Sequence, residues 1–157
     1  MGNKRHVILS VYLKTASRSQ EDHKEVFQGQ LEELKAIISD LDTTSVTIIG
    51  DFNADLVNIS HPHGPLLRNF SNETGLIISS DQLLPVNSFT FVNEMRLGET
   101  SWLDHCVSTQ DGHSIIKKLE VRYDLSFRDH IPIVVELGLD KLPEVEEEFN
   151  NVAPKID

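Results

Sequence analysis

The period of hydrophobic and polar positions changes several times along the chain, and each change marks an element. Residues 6–13, HVILSVYL, are almost continuously apolar over a strand's length and predict a mostly buried strand. From Glu21 to Leu41 the period becomes helical. Phe27, Leu31, Leu34, Ile38 and Leu41 recur at alternating spacings of four and three, one face of an amphipathic helix. Ser19 is the predicted N-cap, with Glu21 and Asp22 favourably placed in the first turn. After the turn DTTS, the segment VTIIG returns to strand. Strand, helix, strand in this order predicts two adjacent parallel strands joined by a right-handed crossover. In such sheets the functional crevice lies beyond the carboxyl ends of the strands.

Downstream, GPLLRNFSNET reads as a short helix, with Pro65 in its first turn and Gly75 as the left-handed residue past its end. LIISS (76–80) predicts a short strand. NSFTFVN and SWLDHCVS predict two strands joined through EMRLGET as a hairpin. QDGH carries an Asp-Gly turn signal, SIIKKLEVRYD a further extended segment, and DHIPIVVELGL a last apolar strand. Pro132 in that strand requires a bulge or an unpaired amide. The pattern fades after residue 140. LPEVEEEFNNVAPKID is acidic and poor in apolar residues, and reads as a solvated, disordered tail over 141–157 behind a domain of residues 1–140.

Composition narrows the function classes. The 157 residues suffice for a single core, and 39% hydrophobic with 25% charged residues is the profile of a soluble globular chain. No apolar run approaches the roughly 18 residues of a membrane span. The opening MGNKRHVILSVYL lacks a small-residue cleavage site, so secretion is not expected. A lone cysteine, Cys106, excludes an intramolecular disulfide and fits a reducing compartment, cytoplasmic or nuclear. The net charge of −11 argues against nonspecific nucleic-acid binding through a basic surface. It is compatible with a divalent-cation site, or with a partner that supplies the basic face.

The candidate chemistry sits beside three apolar segments. Asp51 and Asn53 follow VTIIG, Asp104 and His105 lie in SWLDH, and Asp129 and His130 precede IPIVVEL. Each pair alone is an ordinary occurrence, and His105 on an apolar strand reads first as a satisfied core residue. If the three strands are neighbours in one sheet, however, their polar ends converge. An Asp beside a His can fix its tautomer, and a carboxylate with an Asn two residues on can hold a water or reach a hard cation. The remaining candidates are weaker. His61 and His63 in HPHG could bind a metal but read as surface residues. Cys106 reads as a small buried residue and Trp102 as packing. Lys117, Lys118 and Arg122 could touch phosphates or form a solvated strand face.

GDFN, then SWLD, then Asp-His before an apolar strand together resemble the endonuclease/exonuclease/phosphatase superfamily over roughly residues 7–139. GDFNADL, SFTF and TSWLDHCVS look most like the endonuclease domains of non-LTR (LINE-type) retrotransposons. The resemblance implies an α/β fold, part of a two-sheet α/β sandwich of the DNase-like type. It also implies Mg²⁺- (or Mn²⁺-) assisted hydrolysis of a phosphodiester, with DNA as the expected partner. On this resemblance Asp51 and Asn53 would orient the attacking water and bind the scissile phosphate. His130 would stabilise transition-state charge, Asp104 would orient His130, and Asp129 would lie near the metal. The family's N-terminal half supplies an early Asn and a metal-binding Glu. Here the first Glu, Glu21, opens the amphipathic helix, so that half reads as missing. The expectation is then impaired activity and an apolar sheet face that a partner or self-association would cover. A catalytically silent retrotransposon-derived fragment or binding module is the alternative. Arg128 stands where the family most often has Ser, and His105 where it commonly has an aromatic.

Overall fold

The computed structural model describes residues 5–14, 20–58, 60–96, 98–125 and 129–138. Within them β1 (His6–Tyr12) and β2 (Ser45–Asp51) pair in parallel, in register from His6 opposite Ser45 to Tyr12 opposite Asp51. Helix α1 (Gln20–Asp40) lies between them in sequence, so the predicted crossover unit is present. β6 (Asp104–Ser108) lies antiparallel on the other side of β2, and the two-residue β3 (Ile77–Ile78) pairs with β6. The resulting sheet has the order β1-β2-β6-β3. Two antiparallel pairs complete the mixed α/β fold: β4 (Phe91–Asn93) with β5 (Glu99–Ser101), and β7 (Ile116–Val121) with β8 (Ile133–Leu137). The shorter helices are α2 (His63–Thr74), α3 (Ser79–Leu83) and α4 (Gln110–Ser114). No helix among the described residues is long and apolar enough to cross a membrane.

Strand alternation sorts the core into two layers. Leu9, Val11, Val46, Ile48 and Val107 share one face of the four-stranded sheet. They pack on Phe27, Leu31 and Leu34 of α1 and on Leu67 and Phe70 of α2. Burial of the predicted stripe of α1 is therefore what fixes the crossover against the sheet. Cys106 points to the opposite face, where it meets Trp102, Leu84, Leu119 and Val135 beneath the β7–β8 pair. That cover reaches the β6 side of the sheet. On the same face at the β1 edge, Ile8 and Tyr12 are 59% and 68% exposed.

Several elements differ from the sequence expectation. LIISS is a strand only at Ile77–Ile78 and then turns into α3. The buried hydroxyl of Ser79 pairs with Ser108 Oγ at 2.6 Å, and that of Ser80 donates to His105 Nδ1 at 3.2 Å, drawing the chain out of the ladder. SWLDHCVS is not one strand. Thr90 Oγ1 accepts the amides of Leu103 and Asp104, and the chain changes partner there, from β4 to β2. QDGH is not a free turn but the start of α4, capped by Thr109 Oγ1 accepting from the Gly112 amide. Gly75 does take the left-handed conformation after α2, at φ 69°. Pro132 precedes β8, and its carbonyl accepts the Arg122 amide. Ser19, Arg128 and the acidic tail lie outside the described residues.

Candidate active site

Asp51 is the last residue of β2 and Asp104 the first of β6, and the two are direct register partners. Both carboxylates consequently project from the same face at the same end of the sheet. His130 arrives from elsewhere. β8 belongs to the β7–β8 pair, so the three polar strand ends are not neighbours in one sheet as the sequence suggested. Instead His130 bridges to Phe91, its ring edge-on to Phe91 at 5.2 Å, and the next amide, Ile131 N–H, donates to Thr90 O at 2.7 Å. The convergence is made between sheets.

The geometry is that of an oriented imidazole over two carboxylates. His130 Nδ1 lies 3.0 Å from Asp104 Oδ2, and His130 Nε2 lies 3.9 Å from Asp51 Oδ2. A carboxylate can only accept, so Nδ1 carries the proton. Nε2 is then left to accept a cation or, when protonated, to donate to an anion. Ligand atoms of Asp51, Asp104 and His130 all lie within 4.8 Å of one another. Burial, chiefly, raises the Asp51 carboxyl above its usual range, and repulsion from Asp104 adds to this. The Asn53 amide and His130 pull the other way. Two half-buried carboxylates facing each other form a site that a divalent cation relieves, and hard oxygen donors suit Mg²⁺ or Mn²⁺.

Asn53 is held as closely. Its φ is +48°, a left-handed conformation that Asn tolerates better than most residues. Its backbone N–H donates to Asp51 Oδ1 at 2.8 Å. Its side-chain Nδ2 donates to Leu13 O at 2.7 Å and Asp51 Oδ2 at 3.2 Å. Both partners of Nδ2 are acceptors, so the amide cannot be flipped, and the free function of Asn53 is its Oδ1 acceptor. Asp129 is exposed. Its backbone carbonyl accepts the Val92 amide, and it borders a cleft of about 420 Å³ with Phe91, Asn93 and Glu94. Among the described residues its carboxylate is not in the three-residue cluster.

Sequence reasoning passed over two residues. Thr90, wholly buried in SFTF, holds the amide of Asp104 with its hydroxyl and that of Ile131 with its carbonyl, and so ties the two halves of the site together. A polar residue inside an apolar run was the available signal. Tyr12 shares the row of Asp51 and Asp104 through the β1–β2–β6 register, which only strand pairing reveals.

The lesser candidates separate. His63 is not on the surface: it opens α2, is 1% exposed, and stacks on Phe27 at 4.2 Å between ring centres. His61 is half-buried beside it, and burial lowers the pKa of both rings. His105 is a satisfied core residue, bonded to Ala54 O and Ser80 Oγ, and burial holds its pKa down at about 4. Cys106 is buried, with its thiol pushed up to about 12, which removes it as a nucleophile. Trp102 is packing at 2% exposure. Lys118 pairs with Glu120, and Arg122 with Asp124, a salt-bridged strand surface.

Solved structures share this architecture. The 3'-5' exonuclease NExo from Neisseria meningitidis superposes with a TM-score of 0.65 at 18% identity, covering 83% of this chain and 60% of that one. The AP endonuclease LMAP from Leishmania major gives 0.68 at 15% identity, over 82% and 49%. The endonuclease domain of TRAS1, a telomere-specific non-LTR retrotransposon, gives 0.59 at 22% identity, over 73% and 51%. The chain thus spans about half to three-fifths of the length of these structures. No curated protein sequence matches it. Residues 6–134, which hold both carboxylates, Asn53 and His130, match the family model described as endonuclease-reverse transcriptase (Exo_endo_phos_2), and the chain belongs to that family.

Proposed function

We propose that the chain carries the phosphate-hydrolysing end of a Mg²⁺- or Mn²⁺-dependent endonuclease that acts on DNA. The observation that carries this reading is the meeting of Asp51, Asp104 and His130 within 4.8 Å, with Asn53 locked beside them. Asp51 and Asp104 would hold the cation, with Asp129 as a further carboxylate next to His130, and the cation would supply Lewis acidity at the phosphate. Asn53 Oδ1 and the Asp51 carboxylate accept hydrogen bonds from a water and aim its lone pair at phosphorus, and the carboxylate takes the one proton that the water loses on attack. As the new P–O bond forms, the bond to one sugar oxygen breaks and that oxygen takes a proton from solvent water, to which the Asp51 carboxyl returns its own. Protonated His130, held through Nδ1 by Asp104, donates from Nε2 to a non-bridging oxygen as negative charge builds. Two carboxylates are few ligands for a cation that prefers about six oxygens, so water or another polypeptide would have to supply the rest. The reading therefore includes weak activity of this chain alone, rising when a partner covers the exposed β1 face.

The net charge of −11 favours a second reading, in which the fold serves as a catalytically silent binding module. Supercoiled plasmid incubated with the purified chain and Mg²⁺ separates them. The hydrolase reading expects nicking that His130→Ala abolishes. Absence of nicking, or nicking equal in the variant, overturns it.

A further inference from the structure

Beyond the site itself lie two buried histidines that the proposed chemistry does not use. His63, at the start of α2, points Nδ1 at Asn53 O, 2.7 Å away. His105, in β6, points Nε2 at Ala54 O, also 2.7 Å away. Both carbonyls can only accept, which assigns the tautomers: Nδ1–H on His63 and Nε2–H on His105. His105 Nδ1 is then the lone pair that takes the Ser80 hydroxyl. Each imidazole thus spends its single N–H on one of two consecutive carbonyls, in the turn that carries Asn53.

The turn needs them. The β2–β6 ladder ends with Phe52 N–H on Leu103 O, and the following residue adopts φ +48°, so the next carbonyls leave the strand direction. Gly64 is what lets His63 come so close. A Cβ there would meet Asp55 O at 2.1 Å, so α2 begins in contact with the loop backbone. The two donors come from different elements, α2 and β6.

We infer that His63 and His105 are positioning residues, a paired clamp on the Asn53–Ala54 carbonyls that fixes the left-handed turn and thereby aims Asn53 Oδ1 beside Asp51. As a statement about catalysis the inference rests on the hydrolase reading, but the geometry it predicts is measurable without turnover. An Asn side chain can place its amide where Nδ1 of His stood, and Gln can do so for Nε2. His63→Asn and His105→Gln therefore keep the donor, while His63→Leu and His105→Leu remove it.

The full chain, labelled with ¹⁵N, is compared across these variants by the chemical shift and exchange protection of the Asn53 backbone amide and side-chain NH₂. Plasmid nicking and Mn²⁺ affinity are measured alongside. The clamp predicts that each leucine variant loses Asn53 protection at least ~10-fold and loses nicking in kcat, with Mn²⁺ affinity retained, and that the donor-keeping variants restore both. Should a leucine variant fail to fold, His63→Gln and His105→Asn, which place the amide at the other ring position, take its place with the same expectation. Leucine or misplaced-amide variants that keep the Asn53 shift and protection overturn the clamp. If no protein nicks plasmid but the Asn53 signals behave as stated, the clamp stands and the hydrolase reading falls.

Discussion

Acidification should unfold this protein through His105. The ring is wholly buried between Ala54 O and Ser80 Oγ, and its pKa falls from the ordinary 6.5 to about 4. The unfolded chain takes up this proton near 6.5 and the folded chain resists until about 4, so proton binding favours unfolding across that interval. The stabilisation is whole above 6.5, erodes as pH drops, and is spent below about 4. At about 1.4 kcal/mol per pH unit, the gap amounts to about 3 kcal/mol, a large part of a small domain's stability. The pKa values of His6, His61 and His63 are lowered by burial and add in the same direction. Asp51 acts oppositely in the carboxylate range, because its raised pKa means the folded state binds that proton more readily. Urea unfolding followed by circular dichroism from pH ~7 to ~4, on the natural chain and on His105→Gln, measures the term directly. Gln keeps a donor for Ala54 O but cannot titrate, so its stability should fall by about 3 kcal/mol less over that range. Parallel curves for the two proteins would refute the assignment of His105 as a buried neutral ring.

Three further outcomes follow from named contacts. Thr90→Val keeps the shape of a wholly buried side chain but strands the amides of Leu103 and Asp104, and should cost about 2 kcal/mol or more in urea unfolding. An unchanged midpoint would show that those amides find other partners. Phe27→Ala removes the centre of the α1 stripe and the ring stacked on His63, and should cost about 3–5 kcal/mol; a loss under about 1 kcal/mol would contradict the packing described. Mn²⁺ at about ten times its dissociation constant should stabilise the chain by about 1.4 kcal/mol in thermal unfolding, and Asp51→Asn should lose that response. A variant that responds like the natural chain would place the cation elsewhere.

Much of this was written in the sequence because it depends on local period. The stripe Phe27, Leu31, Leu34 dictates a helix and the face it buries. The apolar runs on either side dictate strands, and their order dictates parallel pairing with Asp51 at the carboxyl end. The motif order gave the family, and with it the candidates Asp51, Asn53, Asp104 and His130. Other features depend on contacts between distant residues, to which local period is blind. That Trp102 and Leu103 interrupt a strand follows from a hydroxyl at Thr90. That His63 is buried follows from its stacking on Phe27 and from Gly64, which lets α2 begin against the backbone of Asp55. That His130 reaches Asp104 from a second sheet, rather than from a neighbouring strand, is decided by the pairing of β7 with β8 and by one bridge to Phe91. Sequence alone determined which groups could do chemistry, because residue type and strand ends are local. Tertiary structure alone decided which of them touch, because hydrogen bonds across 26 or 51 residues of chain are fixed only when the layers pack.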